Sequence, residues 1–99
     1  MKFAEHVYYW TKKVPKGSIT TYGDIAKAMK TKAYRAVGQA LHVNPYAPVV
    51  PCHRVVKSDG SIDGFASGTK KKIEMLKKEG IKVKKGKIID FKKKIIRLN

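Results

Sequence analysis

The 99-residue sequence predicts a mostly α-helical domain with small β elements, winged helix-turn-helix-like in organisation. Three observations predict it. Two short helical patterns flank a tight turn near residues 30–32, the proportions of a helix-turn-helix. Short apolar runs after residue 80 alternate around Lys85-Gly86, the pattern of a hairpin. Lys plus Arg number 23 against 7 for Asp plus Glu, a formal net charge of +16. A chain of this length makes one domain with a modest core, here residues 1–99, ending in a short basic tail from about residue 91 to 99.

The elements follow in order. Phe3, Val7, Trp10 and Val14 recur at helical spacing, so residues 3 to 14 predict an amphipathic helix stopped by Pro15-Lys16-Gly17. Ser18 to Thr20 is a short extended link. Thr21 is an N-cap for a second helix, with Asp24 at the third helical position, where a carboxylate also suits the positive helix end. Ile25, Ala26 and Met29 form its buried face. Lys30 to Lys32 turns the chain into a third helix, Ala33 to His42, which ends before Asn44-Pro45. This is the reading helix of the pair, and it carries Arg35, Ala36, Gly38 and Ala40. Gly38 inside a helix costs about 1 kcal/mol relative to Ala. So small a face implies close approach of another backbone, either a neighbouring helix or a groove wall. Pro45, Pro48 and Pro51 stiffen the next loop. Arg54 to Lys57 reads as a strand and Ser58 to Ser61 as a turn. Phe65, Ala66 and Gly68 lie in a loop before a helix from about Thr69 to Glu79, for which Gly80 is the C-terminal stop.

The charge excess points to a polyanion, with DNA or RNA the default partner. The alternative is a Lys-rich solvated surface of the kind seen in thermophile proteins. Twenty of the 23 cations are Lys, which favours loose phosphate contact over base-edge recognition and singles out the rare Arg residues. No run approaches the ~20 apolar residues that a membrane span needs, and Met1 to His6 does not read as a secretory signal. The expectation is a cytoplasmic, nucleoid-associated protein without membrane contact. One cysteine excludes an intramolecular disulfide and a cysteine-built zinc site, so neither metal nor cofactor is expected.

That cysteine, Cys52, sits between Pro51 and His53. A lone cysteine is commonly an inert core residue. Here a proline-stiffened loop delivers it, a histidine adjoins it, and the surrounding positive charge favours the ionised sulfur. Adjacent side chains of an extended chain point to opposite sides, so His53 can serve Cys52 only if the chain bends or a water bridges them.

The run Pro51-Cys52-His53-Arg54-Val55 resembles the active-site signature of the O6-alkylguanine-DNA alkyltransferases, or methylated-DNA–protein-cysteine methyltransferases. Thr20-Thr21-Tyr22-Gly23 with Ile25-Ala26 resembles the family's first motif helix, and Arg35-Ala36-Val37-Gly38-Gln39-Ala40 its recognition helix. Asn44-Pro45 matches the asparagine hinge. Gly60 through Gly68 resembles the pocket loop, and Lys71/Lys72 to Glu79-Gly80 the closing helix. The similarity covers roughly residues 3 to 83.

The resemblance implies roles for these positions. Cys52 would be the nucleophile, His53 a base acting through a water, and Glu79 the carboxylate that polarises it. Asn44 would brace the active-site turn. Tyr22 would donate to the flipped base and crowd the 3′ phosphate. Arg35 would fill the gap in the base stack, and Ala36, Gly38 and Ala40 would let the helix lie close in the minor groove. Phe65 and backbone groups near Val55 and Ala66 would line the base pocket. The function implied is single-turnover repair by a monomer: transfer of an alkyl group from O6-alkylguanine in double-stranded DNA to Cys52. Family members carry a further N-terminal domain, in some with zinc; this sequence opens directly on the DNA-binding part. The pocket loop reads Asp63-Gly64-Phe65-Ala66 where some members have tyrosine and serine, which bears on the alkyl groups accepted. Two rival classes stand beside this reading. Alkyltransferase-like proteins bind such lesions without transfer and typically have tryptophan at the cysteine position. A helix-turn-helix regulator would leave Asn44, His53 and Glu79 unexplained.

Overall fold

The computed structural model describes residues 2–46, 49–62 and 66–98, with residues 66–68 by their backbone alone. The first helix, α1 (Phe3–Thr11), buries Val7, Tyr8 and Thr11. It is shorter than the apolar spacing predicts. Val14 precedes Pro15, and a proline disfavours helical backbone in the residue before it. The chain therefore tightens after Thr11, with Lys13 N–H donating to the Trp10 carbonyl and Val14 N–H to that of Thr11. Val14 is buried all the same, whereas Phe3, expected on the inner face, is 41% exposed.

The predicted cap on α2 (Tyr22–Ala28) is present: Thr21 Oγ1 accepts a hydrogen bond from Asp24 N–H at 3.0 Å. Ile25 and Ala26 are buried on this helix. A turn through Lys30, at φ 59°, leads to α3 (Tyr34–His42), which buries Val37, Ala40 and Leu41. The Tyr8 hydroxyl donates to the Ala40 carbonyl at 2.8 Å, fixing α1 against α3.

Two short ladders complete the architecture. Strand β1 (Thr20–Thr21) pairs in parallel with β2 (Val55–Val56), Thr20 opposite Val55 and Thr21 opposite Val56. The strand expected at Arg54–Lys57 is thus reduced to two residues, and Arg54 belongs to a single 3₁₀ turn, Cys52–Arg54. Successive strand side chains face opposite ways, so the ladder separates two cores. Val55 packs with Val7, Ile25, Val37 and Leu41 of the three-helix side. Val56 packs with Ile19, Ile62, Leu76, Ile81 and Ile88 on the other side.

The second core is built on α4 (Ala66–Lys78). This helix starts earlier than expected, so Ala66 and Gly68 are helical rather than loop residues; a helix's first amides need no partner within it, which makes glycine tolerable there. Its end is set by Gly80 at φ +85°. Gly80 N–H donates to Lys77 and Ile81 N–H to Leu76, each at 3.0 Å, and Ile81 packs in the same core as Leu76, the full glycine-terminated helix stop. The hairpin follows as β3 (Val83–Lys84) and β4 (Lys87–Ile88), antiparallel, with Lys85 and Gly86 both at positive φ as a tight two-residue turn requires.

The short basic tail expected from about residue 91 packs onto the domain. A short helix, α5 (Phe91–Lys94), packs its Phe91 into the second core. Ile95 then pairs with Ile19, and Leu98 is buried in the first core. Apolar Ile95, Ile96 and Leu98 overrode the charge of Lys92–Lys94. Among the described residues no helix is long and apolar enough to cross a membrane.

Candidate active site

Proline chemistry shapes the turn that carries the cysteine. Pro51 has φ −81° and ψ 71°, the centre of an inverse γ-turn, and Cys52 N–H donates across it to the Val50 carbonyl at 2.9 Å. Arg54 N–H then donates to the Pro51 carbonyl, winding Cys52–Arg54 into the 3₁₀ turn. This is the bend that the Cys52–His53 pair needs: three residues per turn spread consecutive side chains round an axis instead of placing them on opposite sides.

Asn44 holds the same turn from outside. Its Nδ2 donates to the Val50 carbonyl at 2.8 Å, the acceptor that Cys52 N–H also uses, and its Oδ1 accepts Tyr46 N–H at 2.9 Å. Removing the side chain would take the partner from Tyr46 N–H and leave the Val50 carbonyl to Cys52 N–H alone.

Behind the cysteine, His53 is buried, and its Nε2 lies 2.8 Å from Glu79 Oε2. Arg54 grips the same carboxylate with two donors, Nε to Oε1 at 2.9 Å and Nη2 to Oε2 at 2.8 Å. Its Nη1 donates to the Val14 carbonyl. Burial pushes the Glu79 carboxyl up, but the hydrogen bonds from Arg54 and His53, with their charges, outweigh it and bring the pKa down to about 2. Glu79 is therefore an acceptor at neutral pH. Its bond to His53 places the proton of a neutral ring on Nε2 and leaves the lone pair on Nδ1. Glu79 follows the last turn of α4, where the helix dipole opposes a negative charge; the paired Arg54 offsets that opposition.

These groups stand beside an open groove of about 1390 Å³, whose walls among the described residues include Tyr22, Arg35, Gly38, Cys52, His53 and Lys72. Tyr22 begins α2, and Lys72 Nζ donates to its hydroxyl oxygen at 3.4 Å. Gly38 faces the Tyr22 ring. An added Cβ would lie 3.8 Å from that ring, ordinary contact distance, so nothing inside the molecule demands a glycine there. That favours the groove-wall reading of the small-residue face over tight helix packing.

The expected site residues thus divide. Tyr22, Arg35, Gly38, Cys52 and His53 share the groove, while Asn44 and Glu79 support it from behind through the bonds above. Ala36 is half-buried on α3. Ala40 is a correction: it is 8% exposed and turned into the first core, because helical periodicity puts it on the face with Val37 and Leu41. Val55 is also fully buried, so only its backbone could serve a pocket. Phe65 lies outside the described residues, and Ala66 opens α4 by its backbone. Sequence reasoning passed over Arg54 as a site residue; its signal was scarcity, as one of only three arginines and the neighbour of His53.

Residues 2–81 match the family model described as 6-O-methylguanine DNA methyltransferase, DNA binding domain. The chain is 53% identical over 81 residues to a methylated-DNA–protein-cysteine methyltransferase of Thermococcus kodakarensis, covering 81% of this chain and 45% of that protein. It is 46% identical over 80 residues to one from Methanosarcina acetivorans, covering 80% of this chain and 51% of that protein. The chain therefore spans about half the length of the curated relatives it matches. Among solved structures, Mycobacterium tuberculosis OGT in complex with DNA is similar with a TM-score of 0.75 and 36% identity over 81% of this chain and 49% of that one. Atl1 of S. pombe, in complex with damaged DNA containing O6-carboxymethylguanine, is similar with a TM-score of 0.83 and 29% identity, over 98% of this chain and 99% of that one.

Proposed function

The chain belongs to the 6-O-methylguanine DNA methyltransferase family through its DNA-binding domain, and from that premise we propose that it repairs O6-alkylguanine in duplex DNA by moving the alkyl group onto Cys52. The observation that carries this reading is the placement of Cys52 on the groove wall, with His53 beside it and the Glu79 carboxylate bonded to that histidine.

The O6 atom lies inside the duplex, so the nucleotide must leave the stack at a cost of a few kcal/mol. Arg35, exposed on α3, fills the vacated space. A water between Cys52 and Nδ1 of His53 carries the thiol proton to the ring, and Glu79 balances the charge that forms there. The thiolate attacks the alkyl carbon. A carbon–sulfur bond forms, the carbon–O6 bond breaks, and its electron pair leaves with guanine. Tyr22 donates a proton towards the departing base; the hydrogen bond it accepts from Lys72 makes the phenol a better donor. The product is a thioether, whose sulfur has no good leaving group, so each molecule acts once. The same reading places the protein with DNA in the cytoplasm, as a monomer, with no metal or cofactor taking part.

A second reading has its own support. Atl1, similar in structure, was solved in complex with damaged DNA containing O6-carboxymethylguanine, which supports lesion binding as the activity of this fold. Intact mass separates the two after mixing with a duplex containing O6-methylguanine. Repair adds one methyl group, mapped to Cys52; an unchanged mass beside tight lesion binding would leave only a sensor. Cys52→Ala should keep lesion binding and lose transfer. Tyr22→Ala and Arg35→Ala should slow transfer by impairing extrusion of the base, and normal rates in both would remove those roles.

A further inference from the structure

We propose that the β3–β4 hairpin, beyond the residues that the family model matches, is a second DNA-contact surface that grips backbone phosphates on one side of the flipped nucleotide. The family match ends at residue 81. Residues 82–98 hold eight lysines and arginines and a single carboxylate, Asp90. Within the hairpin, Val83 pairs with Ile88 and Lys84 with Lys87. Ile88 is buried and Val83 packs against the second core, so the Lys84–Lys87 pair faces outward. Lys85 caps the hairpin at φ 51°, a backbone region that favours glycine. Like charges directly opposite on a ladder destabilise it, and a lysine at positive φ adds strain. Among the described residues both ion pairs are made by Glu79, so neither reaches the hairpin, where the Asp59 carboxylate offsets Lys87 only in part. A polyanion laid across the three ammonium groups would relieve it.

The hairpin is tied to the rim of the groove. Ile88 N–H donates to the Gly60 carbonyl at 2.9 Å and Ile62 N–H to that of Gly86 at 2.8 Å, with Ser61 bridged to Lys87. Ser58 and Asp59, in the turn just before, line the groove. Asp59 is occupied locally by hydrogen bonds from Ser61 N–H and Oγ, with the Lys87 charge acting on it as well. DNA seated in the groove would run past this rim onto the lysines. The inference rests on the reading of the groove as a duplex-binding site.

The test is the salt dependence of binding by the whole chain. Lys84, Lys85 and Lys87 are changed together to Gln, and separately together to Arg. A control changes exposed Lys2, Lys12 and Lys16 to Gln. The slope of log affinity against log salt should fall by about 0.9 for each phosphate left without its lysine, up to about 2.7 in the Gln hairpin variant. The Arg variant should keep the original slope. The fall should vanish on a duplex truncated on one side of the lesion and persist on a duplex truncated on the other. An unchanged slope in the Gln variant, an equal fall in the control, or a fall indifferent to the truncated side would each overturn the proposal. Methyl transfer by the unaltered protein, read by mass, judges the repair reading on its own.

Discussion

Glu79 joins the two residues that follow the cysteine. Its carboxylate takes His53 and both donors of Arg54 at once, and its pKa of about 2 lies below the ordinary 4.5. A depressed carboxyl stabilises the fold above its unfolded value, and the gain is lost as pH falls through the folded one. Between pH 5 and pH 2 the protein should lose on the order of 3 kcal/mol that Glu79→Gln never had. Denaturation across that range checks it: the acid limb of the variant should be the shallower. At neutral pH the same substitution should slow methyl transfer about 10²-fold, the usual contribution of a positioned base, and a rate within twofold would detach Glu79 from the chemistry. Cys52, His53 and Asn44 could be proposed from the sequence because the family resemblance gives each of them a role. Arg54 could not. Its partner is 25 positions away, and the strand assigned to it gave no reason to aim it at a carboxylate.

At the scale of single elements, local chemistry was the most readable. The Thr21 cap and the Gly80 stop need only neighbours within a few residues, and both are present. Arg54 to Lys57 read as a strand, but its pairing with β1 was invisible, because parallel partners 35 positions apart leave no local trace. Helix α3 tests the reading of its small face. Gly38→Ala should raise thermal stability by about 1 kcal/mol, the helix propensity difference, since the new methyl group meets only ordinary contact with Tyr22. It should also weaken DNA binding by crowding the approach of the duplex. Stability by melting and affinity by titration should therefore move in opposite directions. Unchanged affinity would return Gly38 to a role within the fold.

Across the whole molecule, charge and apolar pattern competed, and the C-terminus shows which prevailed. The +16 net charge dominates the reading of residues 91–99, yet Ile95 and Leu98 are drawn into pairing and core. A few apolar side chains among lysines are a weak sequence signal, but burying one contributes about 1.5–3 kcal/mol, more than loosely solvated surface charges oppose. Leu98→Ala should cost roughly 2–3 kcal/mol of stability by chemical denaturation. A change below about 0.5 kcal/mol, the range of surface substitutions, would mean that the segment is not held. The division into two cores was likewise not legible, since it depends on Val55 and Val56 facing opposite ways across a ladder that the pattern did not reveal.

Ile19 accepts Ile96 N–H and donates to the Lys94 carbonyl, so the segment leading into the second helix is closed by residues distant in sequence. The three-helix half can gather early, since its contacts are comparatively near in sequence. Closing the Ile19 edge joins positions far apart along the chain, so that step carries the larger loop-closure cost and comes late.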